Sequence, residues 1–377
     1  MELSYKHLFP RAQEVTYLDT AAEGLPAPGC SEAFQQYCGD KRAGTPGRKA
    51  LFQAEAEALE LAARLLGTDR ANVAFLSSAS EALYVLSSSL HWSSGDEVII
   101  SDTEFPSNIF PWLRLRQYGI RVIVIPADAG VVGWERVAAQ ISPRTRLVSL
   151  SLVSFKTGAY LTGLPALAAE ARRAGAMLCV DATQALGRCP VSLEGVDYLI
   201  SSSFKWLMGP HGLAIVYVSP AGRERLDPAS LGWYSVTNAF ADDRFERYTL
   251  KPGAACLSAG MPNFPSQYAL RESLRMVLDV SVDRIFQELG PVVGYLRLGF
   301  ERLGCDLLTP ADAEYASGIV SFAHSSADKI GAALEREGII VWAGDGRVRA
   351  SVHLYNDMSD AEHCLAALEP ILLSARA

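Results

Sequence analysis

Two side chains in this sequence stand where catalytic chemistry could be done. Asp181 follows the apolar run 177–180, and Lys205 follows the serines that close a second run, 198–200. Runs of this kind read as parallel strands buried on both faces, and in open α/β sheets ligands bind outside the carboxyl ends of such strands. The two side chains are therefore expected to open on one crevice. Flanked by Phe204, Trp206 and Leu207, the Lys205 amine is desolvated, which lowers its pKa and favours the neutral nucleophile. A neutral amine can condense with an aldehyde, and a neighbouring acid can keep a heterocyclic nitrogen protonated. Pyridoxal phosphate needs both: an amine for its Schiff base, and a carboxylate at the pyridine nitrogen so that the ring draws electrons from the substrate Cα. Gln184, one turn beyond Asp181, is expected to hydrogen-bond the ring's phenolic oxygen. Ser201, Ser202 and Ser203 offer hydroxyls to a phosphate.

A second anion site is expected at the start of a helix. Strand 73–76 leads through Ser77, Ser78, Ala79, Ser80 and Glu81 into a helix from about 82. Free N–H groups and the positive end of the helix dipole would face a phosphate there, with Ser80 also able to act as N-cap.

Seven stretches recur together in one known order: TYLDTAAEGLP (16–26), GDEVIISDTEFPSNIFPW (95–112), VSFKTG (153–158), VDATQALG (180–187), SSSFKWLMGPHG (201–212), AGMPNF (259–264) and RASVHLYN (349–356). In these the chain resembles the fold-type I pyridoxal-phosphate enzymes of aminotransferase class V. That group includes cysteine desulfurases, selenocysteine lyases, isopenicillin N epimerase and, more distantly, kynureninase. The resemblance spans nearly the whole chain. It implies a three-layer α/β large domain with a mostly parallel seven-stranded sheet and a small α+β C-terminal domain.

The resemblance also implies roles for single residues. Arg349 matches the arginine that grips the substrate α-carboxylate, a group suited to bidentate pairing. Phe105 stands where the desulfurases stack a histidine on the ring, as the FPSN motif of kynureninase does. Phe155 replaces a common asparagine, which leaves Ser154 and Gln184 to share the phenolic oxygen. Glu23 lies in the TAA motif of a loop over the site. Trp233 matches the GW motif of the epimerase-like branch. Arg48 is either a ligand of the substrate carboxylate, reaching across a dimer interface, or a solvated surface residue. Met261 replaces the threonine that in relatives reaches the partner's phosphate, a bond methionine cannot make. A homodimer is implied, because members build each site at a subunit interface.

Composition narrows the partners. The 377 residues are 49% hydrophobic with a net charge of −8 and no basic run, which disfavours nucleic acid and anionic membranes. Seven scattered cysteines (30, 38, 179, 189, 256, 305, 364) have no metal-binding spacing and suggest reduced thiols in a cytoplasmic protein. No stretch reads as a signal peptide or a membrane span. Strands are predicted at 15–18, 73–76, 97–101, 121–125, 147–152, 177–180, 198–200, 213–218 (antiparallel), 319–323 and 339–341. Helices are predicted at 30–40, 51–66, 134–141, 164–174, 268–289 and 327–337. The alternation is that of a doubly wound fold. The expected division is an N-terminal segment (1–15) packing on the small domain, a large domain (16–265), then a connecting helix and small domain (266–377).

Persulfide transfer needs a mobile thiol on the loop before Arg349, and that loop, 342–347, has no cysteine. Cys364 lies in an apolar helical setting, where a thiol is inert. The expected chemistry starts with loss of the substrate Cα–H to Lys205. β-Elimination from a cysteine-derived substrate, a C–S lyase reaction, is the preferred outcome. Transamination and epimerisation stay open, as does a non-catalytic binding protein on the same fold.

Overall fold

The computed structural model describes residues 5–376. Its large sheet has seven strands: β1 Val73–Leu76, β2 Glu97–Ser101, β3 Arg121–Ile125, β4 Thr145–Ser151, β5 Met177–Asp181, β6 Tyr198–Ser202 and β7 Ala214–Val218. Their spatial order is β1-β7-β6-β5-β4-β2-β3, and only β7 runs against the rest. β5 is fully buried, and its residues alternate between two apolar clusters: Leu178 and Val180 on one face, Met177 and Cys179 on the other. That alternation is the period-2 geometry of a strand covered on both sides, and it explains a continuous apolar run.

The small unit is a four-stranded antiparallel sheet. Its strands are β8 Asp306–Leu307, β9 Ile319–Ala323, β10 Trp342–Gly344 and β11 Arg347–Ser351, in the order β10-β11-β9-β8. Val320, Phe322, Val348 and Ala350 pack with Leu296, Phe300 and Ile330 of its helices. Phe9 joins this cluster and meets Tyr355 edge-on at 4.9 Å. Residues 1–4 of the expected N-terminal segment lie outside the described residues. The strand expected at 15–18 shrinks to Thr16–Tyr17, which pairs in parallel with Ile339–Ile340.

Two local expectations are corrected. The single helix over 268–289 is two, Phe264–Val280 and Val282–Arg302. Ser281 between them has φ 71°, off the helical path, and its hydroxyl caps the second helix by accepting from the Arg284 N–H. The helix expected from 82 begins at Ala79. Its N-cap is Ser78, not Ser80: the Ser78 hydroxyl accepts from the Glu81 N–H at 3.1 Å, while Glu81 reaches back to the Ser77 N–H.

The loop 19–28 crosses from the small sheet to the large one and touches the segment carrying Lys205. Gly24 donates to the Phe204 carbonyl at 2.9 Å, and a Cβ on Gly24 would lie 2.0 Å from the Lys205 carbonyl oxygen. Gly39, in the exposed part of the helix Cys30–Arg42, has nothing within 4 Å of its Cβ position. Gly24→Ala is therefore expected to destabilise the protein by about 1–3 kcal/mol through backbone overlap. Gly39→Ala should stabilise it by about 0.5–1 kcal/mol through helix propensity. Denaturant midpoints of the two variants check both signs.

Candidate active site

The carboxyl ends of β4, β5 and β6, the start of the helix Ala79–Ser89 and the small sheet enclose a cavity of about 430 Å³. Asp181, the last residue of β5, and Lys205, three residues past β6, both line it, as the strand-end reading required. Lys205 is 8% exposed. Burial and the Arg349 cation lower its pKa to about 8, against the pull of Asp181, Asp19 and Glu23. Asp181 is 5% exposed, accepts the Thr183 N–H at 2.9 Å, and forms no ion pair among the described residues. Burial raises its pKa, with Thr183 and Lys205 opposing.

Trp206 fixes the lysine backbone. It is fully buried and donates its indole N–H to Gln184 Oε1 at 2.7 Å, and its carbonyl lies 2.8 Å from His353 Nε2. Gln184 also donates to the Ala21 carbonyl at 2.9 Å. Its side chain thus links Lys205's neighbour to the loop 19–28 and leaves one N–H toward the cavity.

Ser78, Ala79, Ser80, Ser202 and Phe105 all line the cavity. The Ser80 and Ser107 hydroxyls are 2.6 Å apart at the helix start. Phe105 meets Phe155 edge-on at 5.1 Å, and the Lys205 Nζ lies 5.2 Å from the Phe105 centroid. Beneath Phe105, the buried Glu104 carboxylate accepts from Ser101, Asn108 and Ser151, which ties this loop to the ends of β2 and β4.

Arg349 lines the cavity and is 3% exposed. It donates to the Phe155 carbonyl at 3.0 Å and stands 3.7 Å from Asp19. Burial lowers its pKa to about 10, and burial also raises Asp19 to about 7 although Arg349 opposes this.

Four expected residues do not line the cavity. Ser154 closes a turn, its hydroxyl accepting from the N–H groups of Lys156 and Thr157, and it faces a neighbouring cleft. From there its hydroxyl oxygen holds the turn 154–157 together. Glu23 is half exposed and lies 3.1 Å from His211 Nε2. Arg48 begins the helix Arg48–Leu66 with its guanidinium over Phe52 at 5.9 Å. Trp233 packs against Tyr234 and Phe240 in an exposed segment.

Others entered unannounced. Thr183 orients Asp181, Asp19 faces Arg349, and Trp342 and Arg347 line the cavity from the small sheet. The pattern Arg347-Val-Arg349 in a strand puts both arginines on one face, a signal the sequence did contain.

A fold of this topology, with a buried lysine and a buried acid at adjacent strand ends, defines a pyridoxal-phosphate class of enzyme. The chain belongs to the aminotransferase class-V family, whose model matches residues 16–363. It is 27% identical to an uncharacterized aminotransferase of Bacillus subtilis (strain 168), over 96% of this chain and 95% of that one. It is 28% identical to a probable cysteine desulfurase of Pseudomonas putida, over 95% and 94%. Its fold is similar to that of the cystine C–S lyase C-DES, solved with its reaction product cysteine persulfide: TM-score 0.88 and 23% identity, over 96% of this chain and 99% of that one. The family's cofactor is pyridoxal phosphate, and the cavity fits it. An acid buried without an ion pair would be matched by a protonated ring nitrogen, burial eases the amine toward its neutral form, and the helix Ala79–Ser89 offers its free end to a phosphate.

An amine with a pKa of about 8 loses its proton two and more units before an ordinary lysine, whose value is 10.5. Reductive methylation of Lys205 in the cofactor-free protein is expected to rise with pH through about 8. Peptide mass spectrometry reads it, with the solvent-exposed Lys49 as reference. Coincident profiles for the two lysines would sink the desolvation argument.

Proposed function

We propose that this enzyme labilises the Cα–H of an amino acid and expels a sulfur substituent from Cβ, a C–S lyase reaction on a cysteine-derived substrate. Bound pyridoxal phosphate supplies the electron sink. Lys205 holds the cofactor, and Asp181, oriented by Thr183, keeps the ring nitrogen protonated. Ser78, Ala79, Ser80 and Ser202 take the phosphate. Phe105 covers the ring face, worth aromatic contact and no proton transfer. Arg349 grips the α-carboxylate, and Lys205 takes the Cα proton as general base. The balance is simple: the Cα–H and Cβ–S bonds break, the thiol leaves with a proton, and water completes the release of pyruvate and ammonia.

The observation that favours this over persulfide transfer is the turn before Arg349. β10 and β11 are joined by two residues, Asp345 and Gly346, at φ 47° and 71°. That is the conformation of a tight type I′ hairpin, too short to swing a side chain across a cavity. No cysteine lines the cavity. Cys364 is fully buried, which pushes its thiol up to about 12. A sulfur leaving Cβ here therefore departs with product.

The partners we propose are the amino-acid substrate and a second copy of the chain. Trp233 and Phe240 meet at 5.9 Å in the open, and Phe245, Tyr248 and Met261 are exposed as well, apolar surface that a second copy would cover. Burial of this group against a second copy would bring Trp233 to a role that its place in one protomer does not give it.

With S-substituted cysteines the enzyme should release pyruvate and thiol in equal amounts without an added oxo acid. Turnover that needs an oxo acid and yields no pyruvate would establish transamination instead. Lys205→Ala should lower kcat by at least about 10³-fold, since one group serves as anchor and base. After incubation with free cysteine, intact mass spectrometry should find no added sulfur on the chain. A persulfide at any of the seven cysteines would refute the proposed fate of the sulfur.

A further inference from the structure

Arg347 lines the same cavity as Arg349, two residues earlier on β11 and on the same face of the strand. Both guanidiniums rest on the indole of Trp342, at 4.3 Å for Arg347 and 5.3 Å for Arg349. Arg347 also lies over the Phe155 ring at 5.1 Å. The two arginines differ in what they have to bind. Arg349 has Asp19 and the Phe155 carbonyl. Arg347 is 4% exposed, and its Nε and Nη2 are buried with no hydrogen-bond partner among the described residues. Its one acidic neighbour, Asp345, stands 3.8 Å away with a side chain 77% exposed to solvent.

A guanidinium held permanently charged and out of water is costly unless an anion meets it. Nothing in the proposed chemistry uses this one. The α-carboxylate goes to Arg349, Asp181 serves the ring, and the phosphate goes to the helix start on the opposite, large-sheet wall. Two N–H groups without a partner along one edge of a planar fork suit a carboxylate taken side-on. Trp342 and Phe155 hold the fork in plane by stacking, so little ordering is needed on binding.

We propose that Arg347 is a specificity-determining residue that receives a second carboxylate, at the far end of the substrate's sulfur-bearing side chain. The substrate is then a cysteine-derived amino acid with an acid-terminated arm. This rests on the C–S lyase reading for the nature of the arm, while the second carboxylate rests on the geometry of Arg347 alone.

The test pairs substrates that differ by one group: S-carboxymethylcysteine and its neutral isostere S-carbamoylmethylcysteine. The wild-type enzyme should prefer the acid by about 10²-fold or more in kcat/KM, because the amide leaves the guanidinium unpaired. Arg347→Leu should erase the preference, and Arg347→Lys, which keeps the charge without the fork, should retain part of it. Equal kcat/KM for acid and amide in the wild type overturns the inference and leaves the lyase reading standing. A second readout needs no turnover. Calorimetry should show succinate binding to the holoenzyme at least about tenfold tighter than its monoamide, succinamate, with the difference lost in Arg347→Leu or Arg347→Gln, whichever folds as judged by circular dichroism. That result without pyruvate from any S-substituted cysteine would reject the lyase reading and keep the diacid subsite. Equal binding of succinate and succinamate would reject the subsite directly.

Discussion

The site depends on how Lys205 is held. An amine buried among Phe105, Phe204 and the sheet ends is useful only if its backbone cannot retreat toward water. Trp206 prevents that: it fills the core next door, hydrogen-bonds Gln184 and Gly318 packs flat against its ring, where a Cβ would come within 2.5 Å. The desolvation that makes the amine a nucleophile follows from this anchor, because a lysine free to extend would keep its charge and its ordinary pKa. The loop 19–28 is held against the same segment through Gly24 and Gln184. One tryptophan therefore positions the amine, the loop above it and, through His353, the strand that carries the arginines.

Charge in this cavity is arranged across a seam. The large sheet contributes Asp181 and Lys205, the small sheet contributes Arg347 and Arg349, and Asp19 comes from the loop between them. Asp19 bridges to Ser351, whose hydroxyl accepts the Ala21 N–H at 2.9 Å, so the loop and β11 move as one piece. In so little water each charge sets the others: Arg349 pulls Lys205 toward neutrality, while Lys205 and Arg349 pull Asp19 toward ionisation. On the proposed reading, a substrate carboxylate would meet cations already in place.

The short hairpin between β10 and β11 bears on chemistry in two ways. It fixes Arg347 and Arg349 at the cavity wall by removing slack from the chain, and it leaves no room for a mobile thiol. The relatives carrying the name cysteine desulfurase share the family and its scaffold. On the proposed reading, the side chains at this one turn set the fate of sulfur on a shared scaffold, since function lives in such sites rather than in the fold.

The places of Asp181 and Lys205 were legible from residue order, because an apolar run long enough to be a buried strand fixes where its last side chain points, while the helix start was read three residues late. The antiparallel direction of β7 and the bounds of most strands followed from the same patterning. The broken helix at Ser281 was not legible, since apolar spacing continues through the break and only a local backbone angle records it. Nor were the places of Ser154, Glu23, Arg48 and Trp233, whose motifs name a neighbourhood without saying whether a hydroxyl is spent on a turn or a side chain faces outward. Asp19 joined the site only when chain segments more than a hundred residues apart came together, whereas Thr183 and Arg347 stand two residues from Asp181 and Arg349 and were within reach of the sequence. Sequence alone determined the strand ends and the reactive pair on them, because both are set by local periodicity. Tertiary structure decided which charges share the cavity and which of them lack a partner, because contact between distant segments and exclusion of water are properties of the packed chain.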